Sequence, residues 1–393
     1  MDGKVQKRLI MIKKIQSIIV IIFISCFLLE VGSRLLVVKQ NGRQTILGKK
    51  TRFVLPIKYD TSKEYRINKK GYRVYDSLLG WSHGVWEKDD IYFSNNLGFR
   101  CSENSFKSRT SIPIHHDIVC IGDSFTHGDA VKFEDTWPYL LSQHTKRTVV
   151  NMGVGGYGID QAVLRLMNSK ISCDTVVLGI VSGDLERALT SVYSYYSGGV
   201  KTKPRFKFKK DTTKYELVNV PCVVPNEFIK RPVTTSTRLV YENIEGYKDY
   251  LEIEDKFWTN SMFLRVCYST LVQKEIRKPP VYMTPGEDFE YCMNILKVFQ
   301  NYCNENKMAP IILLIDNNNS FTDREKANSN TWSYFKTRIE KMNITCVEFQ
   351  DEFYKVYKQN KSDIIHKSEG VHYSPEGHQL LANTLTKILI NYD

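Results

Sequence analysis

The nine cysteines of this 393-residue chain form no Cys-X-X-Cys pair and no Cys/His cluster with the spacing of a zinc site. We therefore predict no metal and no other cofactor. The chain also has no internal repeats and no low-complexity tract, and its 42% hydrophobic and 25% charged residues are ordinary for a globular protein. This composition argues against wholesale disorder and against a small disulfide-stapled scaffold. Because the number of cysteines is odd, at least one thiol stays free in a monomer.

The 43 acidic residues are fewer than the 55 Lys and Arg residues, and the formal net charge is +12. An excess of this kind suits nucleic acid, an anionic membrane surface or an acidic substrate. Here eight Lys and Arg residues lie within the first 43 positions, around a long apolar run. This clustering favours the membrane as the partner, and we expect no nucleic-acid binding.

The apolar run is IQSIIVIIFISCFLL at residues 15–29. By itself it is shorter than the roughly 20 residues that a spanning helix needs. It extends on both sides, through 9–12 and 31–38, with Glu30 and Arg34 as interruptions. These two residues are four apart, so on a helix they share a face and can pair. We predict one membrane-spanning helix at 15–38.

The charge around this helix predicts its orientation. Five Lys and Arg residues precede the run, which places the tail at 1–14 in the cytoplasm and the body outside, on the periplasmic or cell-surface side. A cleaved signal peptide is the alternative. No Ala-X-Ala-like cleavage site follows the run, which favours an uncleaved anchor.

The rest of the chain divides by pattern. Residues 39–112 are rich in Tyr, Gly, Asn and charge, and predict loops and short strands. From 113 to 393, short apolar runs alternate with helical patterns, apart from an insertion at about 190–285. We expect this insertion to border or cover the active site and to contain a hairpin at 205–220. Such alternation predicts a three-layer α/β/α domain with a central parallel sheet, whose site lies at the carboxyl ends of the strands. The predicted strands are 117–121, 148–151, 175–180, 310–315 and 344–349, and the predicted helices are 134–144, 159–168, 287–306, 323–342 and 375–390.

The residues that carry chemistry begin with IVCIGDSFTHG at 118–128, where an apolar strand ends in Gly122-Asp123-Ser124. A serine at a strand end, beside the backbone N–H groups of the following turn, suits a nucleophile but needs a base. The candidate base is His372, in EGVHYSPEGH just before the last helix. Glu369 precedes it by three residues and can orient the imidazole.

These motifs resemble those of the SGNH (GDSL) hydrolase family. The likeness rests on Gly122-Asp123-Ser124, on EDTWPYLL at 134–141, on NMGVGGYG at 151–158 and on the closing block that ends in His372. LGW at 79–81 and NNLGFR at 95–100 resemble the membrane-anchored bacterial branch. The resemblance implies a flavodoxin-like sheet, Ser124 as the nucleophile, and the N–H groups of Ser124 and Gly156 as the oxyanion hole.

Two positions depart from the family pattern. The third block of the family supplies an asparagine side chain to the oxyanion hole, and Gly183-Asp184 stand where Asn-Asp is expected. Losing one such donor typically costs about 2.7–4 kcal/mol, so either Ser182 or another group substitutes or the enzyme is slow. The acid of the closing block is Glu369 rather than Asp, and Asp363 is a second candidate for that role.

Other polar residues near these motifs are interpreted as structural. Asp123 is expected to bond backbone near the serine, Asn151 to fix the second-block loop, and Asp184 to cap the following helix. His127 and His378 are assigned to packing rather than to catalysis.

The leading functional hypothesis is a serine esterase or O-acyltransferase that acts on an acyl ester of an extracytoplasmic glycan. The first alternative is a non-catalytic module that binds or scaffolds polysaccharide assembly, which the missing asparagine favours and the Ser124/His372 pair opposes. The second alternative is a lipase acting on membrane lipids, because the anchor holds the site near a bilayer. The sequence does not predict the oligomeric state.

Overall fold

The computed structural model describes residues 3–40, 43–47, 55–56, 71–194, 200–209, 213–222, 252–253, 257–276, 280–368 and 370–390. The strands are β1 (Val37–Gln40), β2 (Arg43–Ile46), β3 (Leu55–Pro56), β4 (Arg73–Asp76), β5 (Gly80–His83), β6 (Lys88–Asp89), β7 (Tyr92–Ser94), β8 (Arg100–Cys101), β9 (His115–Ile121), β10 (Val149–Asn151), β11 (Ser172–Val181), β12 (Val192–Ser194), β13 (Val200–Thr202), β14 (Arg205–Phe208), β15 (Tyr215–Val218), β16 (Glu252–Ile253), β17 (Ala309–Ile315) and β18 (Thr345–Glu348). The helices are α1 (Gly3–Leu36), α2 (Glu103–Ser108), α3 (Ser124–His127), α4 (Trp137–Thr145), α5 (Ile159–Met167), α6 (Ser182–Ala188), α7 (Met262–Ile276), α8 (Glu287–Glu305), α9 (Asn318–Ala327), α10 (Ser333–Glu340), α11 (Gln350–Gln359) and α12 (Pro375–Ile390). Short 3₁₀ turns lie at Phe133–Asp135, Phe257–Asn260, Val281–Met283 and Lys361–Asp363.

The main sheet has the strand order β18-β17-β11-β9-β10-β8-β7-β6. Its first five strands are parallel to their neighbours, and β8, β7 and β6 extend it in antiparallel fashion. Taken in chain order, the parallel strands are arranged 2-1-3-4-5, which is the flavodoxin-like arrangement. The strand order reverses between β9 and β11, so the predicted site falls at the carboxyl ends of these two strands.

Helices cover both faces of the sheet, which confirms the predicted three-layer α/β/α class. The stretch TVVLGIV in β11 is buried on both faces, as parallel strands usually are. One core contains the apolar side of α5, with Ile159, Val163 and Leu166. The other contains α4 and α12, with Leu381 and Leu385. Burying each such side chain stabilises the fold by roughly 1.5–3 kcal/mol.

The helix pattern predicted at 323–342 is wrong as a single element. The chain forms α9 and α10 there, separated by a turn at 328–332. Asn328 ends α9 in the left-handed conformation, with φ 51°, and the Asn330 side chain accepts a hydrogen bond from the Trp332 N–H at 2.9 Å. Asparagine tolerates both roles. Helices α2, α7 and α11 were not predicted. The five strands predicted in 113–393 and the other helices predicted there lie within a few residues of the observed elements.

The predicted hairpin at 205–220 is present as β14 and β15 in antiparallel register, although its turn at 210–212 lies outside the described residues. One side of it is buried rather than solvated. Phe206 is 1% exposed and belongs to the core beneath α8, and the Tyr291 hydroxyl on that helix donates to the Phe206 carbonyl at 2.9 Å. The hairpin is therefore packed onto the central domain.

Helix α1 contains an apolar stretch at Ile10–Leu36 with mean hydropathy 2.3. Among the described residues it is the one helix long and apolar enough to cross a membrane. Its Glu30 and Arg34 form the predicted pair at 3.0 Å. Glu30 also accepts hydrogen bonds from the N–H groups of Met262 and Phe263 at the start of α7. All nine cysteines are free thiols.

Candidate active site

Ser124 lies where β9 ends and the single-turn helix α3 begins. The Asp123 carboxylate accepts a hydrogen bond from the Phe125 N–H at 2.9 Å, which is the structural role expected for it. Gly128, in the left-handed conformation with φ 79°, stops the helix after one turn. The chain therefore turns sharply on both sides of Ser124 and presents its hydroxyl at the sheet edge.

His372 contacts Ser124, although the two residues are 248 positions apart in the chain. Its Nε2 lies 2.8 Å from the Ser124 Oγ. The loop before α12 holds it there, because the His366 N–H donates to the His372 carbonyl at 2.8 Å and the Ser374 N–H donates to the Ile364 carbonyl at 2.7 Å. The Phe125 ring packs against the imidazole at 5.2 Å between centroids. The predicted nucleophile and the predicted base are thus in hydrogen-bond contact.

Two residues were candidates for the acid that orients His372. Glu369, the first candidate from the sequence, lies outside the described residues. Asp363, the second candidate, is exposed, and its carboxylate accepts a hydrogen bond from the Asn360 side chain. Its contacts therefore do not favour it over Glu369.

The second-block loop approaches the nucleophile closely. Asn151 fixes it as expected, since its Nδ2 donates to the Thr126 carbonyl at 2.9 Å and its Oδ1 accepts from the Gly153 N–H at 3.0 Å. A Cβ at Gly153 would lie 2.2 Å from the His127 nitrogen, so only glycine allows this approach. Gly156 has φ +82°, a conformation that favours glycine.

The backbone N–H groups of Ser124 and Gly156 are the predicted oxyanion donors. Within the described part of the chain, neither the Ser124 N–H nor the Gly156 N–H donates a hydrogen bond to the protein. Two buried N–H groups without an acceptor suit a developing negative charge. The assignment of these two N–H groups to the oxyanion hole stays a prediction.

Arg187, which was not singled out from the sequence, lies beside the third-block position at Gly183. A Cβ at Gly183 would lie 3.7 Å from Nη2 of Arg187 and 3.8 Å from its Cζ. The same Nη2 donates to the Asp123 carboxylate at 2.7 Å and also to Asp184. The sequence did contain a signal for this contact, because Arg187 follows Asp184 by three residues and the two side chains share one face of a helix. A cation therefore stands beside the residue that precedes Ser124.

Asp184 also caps its helix, as expected, because its carboxylate accepts a hydrogen bond from the Val181 N–H at 3.0 Å. It is 2% exposed. Burial, and then the nearby Asp123 carboxylate, raise its pKa well above the usual range. Arg187 stabilises the charge that this pair carries.

His127 and His378 are packed inside the protein. Burial lowers the pKa of His127 to about 4 and that of His378 to about 3, so both imidazoles are neutral at pH 7. The His378 Nδ1 accepts from the Trp137 N–H at 3.3 Å. His127 binds the Asp129 carboxylate, a residue that the sequence analysis did not single out. In the described part of the chain no cluster of His, Cys, Asp and Glu is suited to hold a metal ion.

Comparisons with known proteins give one family. Residues 118–385 match the model of the GDSL-like lipase/acylhydrolase family, whereas no curated protein matches the chain. Among solved structures, a lipolytic protein of the G-D-S-L family from Desulfitobacterium hafniense is similar at 13% identity and a TM-score of 0.35, covering 70% of this chain and 99% of its own.

Two esterases are also similar in structure. A two-domain esterase active on acetylated mannans aligns at 13% identity and a TM-score of 0.36, over 70% of this chain and 49% of its own. An acetyl xylan esterase from Butyrivibrio proteoclasticus aligns at 9% identity and a TM-score of 0.32, over 72% of this chain and 65% of its own. The family match spans both Ser124 and His372. The chain therefore belongs to the GDSL-like lipase/acylhydrolase family and is a hydrolase of ester bonds.

Proposed function

We propose that this protein is a serine esterase or O-acyltransferase that uses Ser124 as nucleophile and His372 as base on acyl esters of an extracytoplasmic glycan. The observation that carries the proposal is the 2.8 Å contact between the Ser124 Oγ and the His372 Nε2. A serine hydroxyl is a weak nucleophile until a base at this distance removes its proton.

The reaction follows from the geometry. Ser124 Oγ attacks the acyl carbonyl carbon while His372 Nε2 takes its proton, and the carbonyl oxygen becomes an oxyanion facing the N–H groups of Ser124 and Gly156. When the tetrahedral intermediate collapses, the bond to the alcohol breaks and His372 returns the proton to the leaving oxygen. Water or a sugar hydroxyl then attacks the acyl-enzyme with His372 again as base. The bond between Ser124 Oγ and the acyl carbon breaks, and His372 returns the proton to Ser124 Oγ. Glu369 is assigned to hold the imidazole in the required tautomer.

The membrane part of the proposal rests on the first 36 residues. Helix α1 has the length and hydropathy of a membrane-spanning segment, and five Lys and Arg residues precede its apolar run. The positive-inside rule then places the catalytic body outside the cytoplasm, where it meets cell-surface glycans. A single crossing keeps the enzyme at the membrane.

Labelling with a fluorophosphonate serine probe tests the nucleophile. The wild-type protein is expected to label at one site, and Ser124→Ala is expected to abolish both labelling and turnover of 4-nitrophenyl acetate. Ser142→Ala is the matched control, since that serine lies on α4 and its hydroxyl donates to the Tyr139 carbonyl. Labelling that persists in the folded Ser124→Ala variant would refute the assignment. Absence of any labelling in folded wild-type protein would favour a non-catalytic module.

A further inference from the structure

Asp129 follows Ser124 closely in the chain and contacts its backbone. Its N–H donates to the Ser124 carbonyl at 3.0 Å, and its Oδ1 lies 2.5 Å from Nδ1 of His127. Because a carboxylate oxygen only accepts, the His127 proton sits on Nδ1, and Nε2 accepts from the Tyr72 hydroxyl at 2.6 Å. One oxygen of Asp129 is thus tied into a hydrogen-bonded chain of three side chains.

This chain is held in place by packing. His127 is 1% exposed and Tyr72 is 2% exposed. The Tyr72 ring stacks on His83 at 4.4 Å between centroids, and Arg100 Nη1 donates to the carbonyls of His127 and Gly128. The orientation of the Asp129 carboxylate is therefore preset before any ligand arrives, which reduces the entropy cost of binding to it.

The other oxygen of Asp129, Oδ2, lies near the Ser124 side chain. A Cβ built on Gly155 would lie 3.2 Å from Asp129 Oδ2 and 3.8 Å from the Ser124 Cβ, so both atoms border the same small space. Within the described part of the chain Oδ2 has no hydrogen-bond partner, and the side chain keeps 15% of its surface open. Gly155 contributes no side chain to this position.

The charge of the group decides what it can bind. Burial acts to raise the pKa of Asp129, but His127, His372 and Arg73 outweigh it and hold the pKa below the usual range, so the group is a carboxylate at pH 7. An anionic oxygen accepts hydrogen bonds and repels other anions and carbonyl oxygens. Hydroxyl groups meet this requirement, and an aliphatic chain leaves the carboxylate without a partner.

We propose that Asp129 Oδ2 is a substrate subsite that accepts a hydrogen bond from a free hydroxyl next to the acyl ester, so the preferred substrate is the ester of a polyhydroxylated compound. The inference rests on the proposed function and deepens it by naming the part of the alcohol that is recognised. A site built to bind a hydroxyl discriminates strongly against the analogue that lacks it, because its own polar group is then left unpaired.

Asp129→Asn is the decisive variant. The His127 Nδ1–H needs an acceptor, so the asparagine carbonyl is expected to replace Oδ1 and its NH₂ group to replace Oδ2, which turns an acceptor into a donor. Three substrates are compared: a mono-O-acetyl pyranoside with a free neighbouring hydroxyl, the same ester with that hydroxyl replaced by hydrogen, and 4-nitrophenyl acetate. Glu134→Gln, an exposed carboxylate on the following segment, is the matched control.

For Asp129→Asn we expect kcat/KM to fall by about tenfold to hundredfold on the hydroxylated ester and by less than about threefold on the other two, while Glu134→Gln resembles wild type on all three. An equal loss on every ester would overturn the subsite, since it would reflect the effect of Asp129 on His372 or on folding. No loss on any ester would overturn it as well.

The wild-type protein provides a test that does not depend on the variant folding. Its kcat/KM should be at least about tenfold higher for the hydroxylated than for the deoxy ester. A ratio near one, in protein that labels normally with the fluorophosphonate probe, would refute the subsite and leave the proposed function intact. Absence of labelling would instead remove the proposed function on which the subsite depends.

Discussion

Replacing Gly183 by asparagine tests whether the oxyanion hole lacks a donor. The structure leaves room for the change, because the nearest atom to a Cβ at this position is Nη2 of Arg187 at 3.7 Å, an ordinary contact. Gly183 is not in the left-handed region. It is the second residue of α6, where asparagine costs less than glycine by roughly 0.3 kcal/mol. We therefore expect the Gly183→Asn variant to fold at least as well as wild type.

The expected increase in kcat for Gly183→Asn has an upper limit, and the position of Arg187 lowers the expected value below that limit. One oxyanion donor is worth about 2.7–4 kcal/mol, or 10²–10³ in kcat. The guanidinium of Arg187 already places positive charge beside this position, and the new amide has to share the space with it. We expect kcat for 4-nitrophenyl acetate to rise by at least about tenfold, which corresponds to roughly 1.4 kcal/mol, with little change in KM.

Gly183→Ala is the matched control, since it adds the same Cβ without the amide and should leave kcat unchanged. Thermal melting of all three proteins comes first, so that a folding defect is recognised. A folded Gly183→Asn variant with unchanged or lower kcat would refute the missing-donor reasoning. It would mean that another group, Arg187 or Ser182, already fills the third position.

Two further predictions concern stability and topology. Burial raises the pKa of Asp316 to about 6, above its unfolded value of about 3.9. The contribution of Asp316 to the free energy of unfolding is therefore complete below about pH 3.9 and is lost as the pH rises through about 6. The Asp316→Asn variant keeps an acceptor for Trp332 and Gln350 but cannot ionise. Its effect on the free energy of unfolding, measured by urea denaturation, should be more stabilising at pH 8 than at pH 4 by roughly 3 kcal/mol. An equal effect at both pH values would contradict this. For the predicted topology, a periplasm-active reporter fused to the carboxyl terminus should be active and a cytoplasm-only reporter inactive, and the opposite pattern would show that the orientation is reversed.

Local pattern accounts for most of the elements that were predicted. The buried parallel strand β11 reads as a continuous run of apolar residues, and α12 begins at the proline that follows Ser374, whose hydroxyl accepts the Gly377 N–H. The pattern failed at 323–342, where apolar residues on both α9 and α10 imitate one long helix. The three short strands β6, β7 and β8 carry too little periodicity to predict that they extend the sheet.

The sequence by itself determined the fold class and the N-terminal apolar helix, and it predicted the residue types assigned to the reaction, because each depends on periodicity or on a motif within a few residues. Only the tertiary structure decided which of those groups meet. The strand order brings His372 to Ser124, the winding of α6 turns Arg187 towards Asp123, and the backbone at Gly155 passes close to both Asp129 and Ser124. Such contacts depend on crossovers and packing between distant segments, and local sequence carries no measure of those distances.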